Sequence, residues 1–269
     1  MTLPVALSIA GSDSGAGAGI QADLKTFAAF GVYGVTVITA ITAQNTLGVR
    51  AVQDVDAAVV TAQLDAVAED FAIAALKTGM LSSAAIIEAV VAGIQRHQLG
   101  PLVVDPVMIA KSGDRLLRGD AVDALRRKLL PLAEVVTPNI PEAEILARRP
   151  IRTRDDRLAA ARIIMELGAH AVVIKGGHSE DDPIVDMLVD SQGVHEYRAA
   201  RIVTTSTHGT GCTFSAAITA GLATGLDLPD AVAEARDYVS RALSLAPGLG
   251  HGHGPLNHFP SAQVAHAHH

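Results

Sequence analysis

The sequence predicts an α/β fold with a doubly wound, mostly parallel sheet. Two observations carry this. Short apolar runs of strand length alternate with longer Ala-rich segments whose apolar residues recur at helical spacing. The short runs show no in–out alternation, so they read as strands covered on both faces. A third observation gives the sheet a working edge: the segments that follow these runs are polar and glycine-rich, and open α/β sheets bind ligands beyond the carboxyl ends of their strands.

Taken in order, Val5–Ala10 reads as a first buried strand. It has no basic region before it and is too short to span a membrane, so neither a signal peptide nor a membrane helix is expected. The helix Ile20–Phe30, the strand Val35–Ala40 and the helix Ala57–Ala68 follow. Next come the strand Ile73–Lys77, the helix Ala84–His97, the strand Leu102–Val104 and the helix Ala121–Leu130. Val135–Thr137 is a strand, and Asn139-x-x-Glu142 opens a helix after it. Asp155–Leu167 is helical and Val172–Lys175 is a strand. Ile184–Val189 and Val194–Ala200 are joined by Asp190-Ser191-Gln192-Gly193, a short polar connection that predicts an antiparallel hairpin at one sheet edge. Two helices close the chain, at about 212–224 and 230–245. No linker-like stretch or internal repeat divides the sequence, so one domain is expected over 1–269, with the His-rich stretch from about 250 as a loose tail.

Composition narrows the function. The chain has 269 residues, 49% hydrophobic and 18% charged, too apolar to be disordered. Its net charge of −7 disfavours nucleic acid as a partner. A soluble, cytoplasmic protein with no membrane partner is expected. The single cysteine, Cys212, cannot form an internal disulfide. It is either a small core residue or a working group.

Seven segments should meet at the working edge: Gly11–Gly15, Thr42–Thr46, Thr78–Met80, Asp105–Met108, Pro138–Glu142, Gly176–His178 and His208–Cys212. Each alone is ordinary turn chemistry. Together they bring Gln44, Asp105, Glu142, Lys175 and Cys212 to one place. Gly209-Thr210-Gly211-Cys212 precedes an apolar helix, so its backbone N–H groups and the helix dipole can form an anion hole. No G-x-x-x-x-G-K-[ST] occurs, and Ile20 stands where a dinucleotide fingerprint needs its third glycine. Phosphoryl transfer also needs a cation, a metal and a base. Lys175 can face the phosphates, and Asp105 and Glu142 can hold Mg²⁺, chiefly through water. Glu142 also suits a helix first turn, and Lys175 a solvated strand end. A helix start lowers a thiol's pKa, so Cys212 is expected to serve as a base or a nucleophile, with a buried core role as the alternative.

The blocks GSDSGAGAGIQADLKTF (11–27), ITAQNT (41–46), KTGML (77–81), VVDPVMIAKSGDRLL (103–117), TPNIPEAEIL (137–146), VVIKGGH (172–178) and HGTGCTFSAAITAGLATG (208–225) resemble the ribokinase-like superfamily. They most closely resemble its bifunctional hydroxymethylpyrimidine/phosphomethylpyrimidine kinases of thiamine biosynthesis. One departure is Ala16, where the family often has Gly; alanine adds only a methyl, and the resemblance stands. The resemblance implies a three-layer α/β/α fold with a central, mostly parallel sheet and an antiparallel edge hairpin. It implies ATP and Mg²⁺ as cofactors, a small pyrimidine substrate and a homodimer.

By the same resemblance, Gln44 binds the aminopyrimidine, and Ala18, Met80 and Val107 wall its ring. Asp23 and Cys212 lie near the hydroxymethyl group, with Cys212 as the base. Gly209, Thr210 and Gly211 complete the anion hole. Asp105, Asn139 and Glu142 organise Mg²⁺, and Lys175 contacts the ATP phosphates. The loop Ala110–Gly113 is expected to act as a flap over the site. A pyridoxal kinase of the same superfamily, or dual activity, is the alternative. More distant are a non-catalytic nucleotide- or vitamin-binding regulator and a thiol transferase working through Cys212.

Overall fold

The structure, a computed structural model, describes residues 3–108, 119–178 and 183–260. The expected flap at 110–113 lies outside the described residues. Among these residues the chain forms one nine-stranded sheet in the order β3-β2-β1-β4-β5-β6-β7-β8-β9. The strands are β1 (Val5–Asp13), β2 (Tyr33–Asn45), β3 (Gly48–Asp54), β4 (Ile73–Thr78), β5 (Leu102–Val104), β6 (Val135–Val136), β7 (Ala171–Ile174), β8 (Ile184–Val189) and β9 (Val194–Ala199). The helices are α1 (Gly19–Ala29), α2 (Ala57–Asp70), α3 (Ala84–His97), α4 (Gly119–Ala124), α5 (Ile140–Ala147), α6 (Arg154–Glu166), α7 (Thr210–Ala223) and α8 (Leu228–Ser244).

From β2 through β7 the sheet is parallel, and both edges are antiparallel. The β8–β9 hairpin matches expectation. The β2–β3 ribbon at the opposite edge does not: β2 continues through Asn45 and turns back, so the Thr-Ala-Gln-Asn block lies on a strand and not in a loop. The Asn45 side chain accepts the Leu47 N–H at 2.9 Å and tightens that turn. The expected helix over Ala121–Leu130 also changes character. It passes from α4 into a π turn at Leu125–Leu129 and a 3-10 turn at Leu130–Leu132, where Pro131 has no N–H to continue a helix.

Alternation along the strands divides the core. Val172 and Ile174 pack with Leu64, Ile87, Leu146 and Ile164 beneath α2 to α6. Ala171 and Val173 point the other way, to Phe214 and Ile218 of α7 and Val232 and Val239 of α8. Phe27 of α1 joins Ala216 and Ala220 on that second side. Helices α3, α5, α6 and α8 each begin at a capping side chain: Ser83, Asn139, Thr153 and Asp227. No side chain caps α7, which starts at Gly209 with φ +83°. A Cβ at Gly209 would collide with the Gly17 carbonyl oxygen, so only glycine lets the two loops meet.

The expected loose tail does not begin at 250. His208 donates its N–H to the Gly254 carbonyl at 3.0 Å, and Leu256 and His258 are buried. No helix among the described residues is long and apolar enough to cross a membrane.

Candidate active site

The chain reverses direction in the sheet at β1, which lies between β2 and β4, so the loops leaving these strands part and open a crevice. A cavity of about 510 Å³ fills it. All seven strand-end segments contribute, through Ser12, Gln44, Met80, Asp105, Glu142, Gly177 and Thr210 among others. Ala18, Met80 and Val107 are part of this lining. Phe214, Val239 and Leu243, which the sequence did not single out, add apolar surface from α7 and α8. Their helical spacing marked them only as core.

Gln44 owes its placement to the ribbon. The β2–β3 register slips between Ala43 and Gln44, and such a bulge re-aims the side chain that follows it. Ser14 Oγ donates to the Gln44 carbonyl at 2.7 Å and accepts the Gln44 N–H at 2.8 Å.

Lys175 and Asp105 come together at the ends of β7 and β5. Lys175 Nζ donates to Asp105 Oδ1 at 3.0 Å, and Ser215 Oγ donates to Oδ2 at 3.3 Å. Glu142 and Asn139 form a reciprocal capping box: Glu142 Oε2 accepts the Asn139 N–H at 2.8 Å, and Asn139 Oδ1 accepts the Glu142 N–H at 2.9 Å. Two of the three residues expected around Mg²⁺ therefore also cap α5. Burial pushes the Glu142 carboxyl up to about 7; the Lys175 charge opposes the rise and the Asp105 charge adds to it.

One expectation is corrected. The helix start does not lower the Cys212 thiol. Burial pushes it up to about 12, and Asp105 and Asp23 add to the rise. The Lys77 charge and a hydrogen bond from the Gly19 N–H favour the thiolate but do not prevail. Asp23 lines the cavity with its carboxylate already engaged. Lys77 Nζ donates to Oδ1 at 2.7 Å and Ser8 Oγ to Oδ2 at 2.6 Å, with both members of the ion pair fully buried.

Lys77 itself went unrecognised in the sequence. Burial disfavours its charge, but Asp23, Cys212 and Asp105 outweigh that and hold its ammonium above the ordinary value. It also approaches the Cys212 carbonyl at 3.4 Å. A lysine ending the otherwise apolar β4 was the available signal. The Lys175 at the end of β7 is the same pattern.

Among the described residues, no cluster of three or more His, Cys, Asp or Glu side chains forms a metal cage. Two carboxylates near one lysine suit Mg²⁺ instead, which keeps waters and uses one or two carboxylates with substrate phosphates.

The family described as phosphomethylpyrimidine kinase matches residues 13–257. A hydroxymethylpyrimidine/phosphomethylpyrimidine kinase of Rhizobium meliloti is 54% identical over 258 residues, covering 95% of this chain and 97% of its own. The crystal structure of a phosphomethylpyrimidine kinase from Clostridium difficile matches with a TM-score of 0.80 at 45% identity, covering 89% of this chain and 99% of that one. An ADP complex of Bacillus subtilis pyridoxal kinase matches with a TM-score of 0.89 at 40% identity, covering 96% and 98%.

Proposed function

The chain belongs to the phosphomethylpyrimidine kinase family, and on that premise we propose how its cavity works. The protein is a kinase of thiamine biosynthesis. It phosphorylates 4-amino-5-hydroxymethyl-2-methylpyrimidine and then the resulting monophosphate, with ATP as donor. The observation that carries this reading is the convergence of seven strand-end segments on one cavity, lined by the uncapped head of α7, by Gln44 and by Ala18, Met80 and Val107.

The pyrimidine lies between Ala18, Met80 and Val107, with its polar edge on Gln44. The first-turn N–H groups of α7, from Gly209 to Cys212, have no partner within the helix and receive the transferring phosphoryl group. Lys175 leaves Asp105 to meet the ATP phosphates. The adenine occupies the apolar end beside Phe214, Val239 and Leu243. Asp105 and Glu142, with Asn139, would hold Mg²⁺. When bound, it supplies positive charge to the phosphate oxygens. In the first step a bond forms from the hydroxymethyl oxygen to the γ-phosphorus as the γ-to-β oxygen bond breaks, and Cys212 takes the hydroxyl proton. The resting thiol is protonated, so this role depends on the fraction that the Lys77 charge keeps ionised. In the second step the acceptor is a phosphate oxygen, already ionised, and needs little help from a base.

An ADP-release assay with hydroxymethylpyrimidine, its monophosphate and pyridoxal as separate acceptors tests the reading. Turnover of both pyrimidines is expected, and turnover of neither overturns it. A second reading, in which pyridoxal is also accepted, is supported by the likeness to a pyridoxal kinase at 40% identity, and the third arm of the assay decides it. We place the protein in the cytoplasm as a homodimer. The β2–β3 ribbon supports the dimer, because Ile41, Leu47 and Val52 are exposed there. Light scattering at twice the chain mass is the expected result.

A further inference from the structure

Three side chains from distant segments meet at one wall of the cavity: Asp13 at the end of β1, Gln44 on β2 and His208 just before α7. His208 Nε2 lies 2.8 Å from Asp13 Oδ2 and 3.1 Å from the Gln44 amide nitrogen. One ring nitrogen cannot donate to a carboxylate and accept from an amide at the same time. Asp13 settles which it does. Its Oδ2 also accepts the Gly17 and Ala18 N–H groups at 3.1 and 2.8 Å, and its Oδ1 accepts the Gly15 N–H at 2.8 Å. Burial works to raise the Asp13 carboxyl, but the hydrogen bonds from His208, Ala18 and Gly15 and the His208 charge hold it below the usual range. An ionised carboxylate only accepts, so His208 Nε2 carries the hydrogen. With no lone pair on Nε2 to accept an amide hydrogen, the end of the Gln44 amide that faces it is its carbonyl, which shares the single Nε2 hydrogen with Asp13 Oδ2 in a three-centre bond. The two ends of an amide fill the same volume, and hydrogen bonding chooses between them. The Ser14 bonds already fix the Gln44 backbone, leaving the amide as the part free to turn.

We infer that His208 is a positioning residue that sets the polarity of substrate recognition: held by Asp13, it draws the Gln44 carbonyl to itself and turns the Gln44 NH2 into the cavity, in register for a ring nitrogen beside an exocyclic amine. The inference rests on the functional reading above and deepens it. The carbonyl keeps a second lone pair for the amine, and the NH2 donates to the ring nitrogen. Pyridoxal has no amine beside its ring nitrogen, so the arrangement favours the aminopyrimidine.

The test compares kcat and KM for hydroxymethylpyrimidine and for its analogue lacking the 4-amino group. The full-length chain is measured as wild type, Gln44→Ala, His208→Leu and the double variant. His208→Leu is expected to raise the pyrimidine KM about tenfold, leave the ATP KM unchanged and reduce the preference for the amino compound. Combined with Gln44→Ala it should add nothing further, because it acts through Gln44. His208→Gln still donates to Asp13 and should restore most of the affinity. Gln44→Glu keeps an acceptor toward His208 but loses the donor to the ring and adds a negative charge beside Asp13, so its pyrimidine KM should rise. This variant decides the matter if His208→Leu does not fold. Additive losses in the double variant, equal losses for both compounds, or an unchanged KM in Gln44→Glu overturn the inference alone. No turnover of the pyrimidine by the wild type overturns the functional reading, and this inference with it.

Discussion

Ala16 has a φ of +57°, in the left-handed region where a Cβ crowds the backbone. Its methyl therefore strains a turn that glycine would adopt freely. The loop holds it there because the Ala16 N–H reaches the Asp13 carbonyl at 2.9 Å and Lys25 Nζ donates to the Ala16 carbonyl at 2.8 Å. Ala16→Gly is expected to stabilise the fold by about 0.5 to 1 kcal/mol, the strain relieved less the freedom glycine adds to the unfolded chain. Thermal unfolding of the two proteins side by side measures it. Cys212 is the other residue whose chemistry its surroundings rewrite. With its thiol near 12, about one molecule in ten thousand is ionised at pH 8, so alkylation by iodoacetamide should be slow without ligand. Cys212→Ala should cost the first phosphorylation at least tenfold more than the second, measured with each substrate separately. Equal losses would leave the sulfur a positioning role only.

At the scale of elements, the head of α7 is the proposed anion hole. Sequence reading pointed to it through a Gly-Thr-Gly run before an apolar stretch, a pattern that ordinary turn chemistry also uses. The necessity of Gly209 came only from the Gly17 carbonyl, which lies far away in sequence. Gly209→Ala should lower kcat about a hundredfold or more, because a displaced first turn no longer aims its N–H groups at the phosphoryl group. Steady-state kinetics at saturating ATP, with circular dichroism to confirm folding, checks this. Helix α3 was legible to its ends, since Ser83 caps it and its apolar face repeats cleanly. Strand β3 was not legible: Arg50, Ala51, Val52 and Gln53 are all exposed, so no buried face imposes a pattern on the sequence. The bulge that aims Gln44 belongs to this ribbon and was hidden with it.

At the scale of the molecule, the C-terminal segment closes the structure behind the anion loop. His258 Nε2 lies 3.1 Å from Thr213 Oγ1 of α7, and the His258 carbonyl accepts the Tyr238 hydroxyl at 2.7 Å. Burial, with the nearby Lys25 charge adding, depresses the His258 ring to about 4. Between about 6.5 and 4 the unfolded chain binds a proton that the folded chain refuses. Stability is therefore intact above pH 6.5 and falls with pH, by on the order of 3 kcal/mol by pH 4. The expected outcome is a melting temperature that drops through this window, with a shallower slope in His258→Gln.

The sequence by itself determined the layered α/β class, most helices and parallel strands, and the seven segments of the working edge, because burial periodicity and turn chemistry are local. It also carried the family in its motif blocks. Tertiary structure alone decided what depends on residues far apart in the chain. The Cys212 thiol rises because burial outweighs its helix start, and Asp23 is engaged by a lysine 54 residues away. Asp13 and His208, 195 residues apart, together orient Gln44. Protonation and hydrogen-bond direction follow from the full set of neighbours in space, and only the folded chain assembles that set.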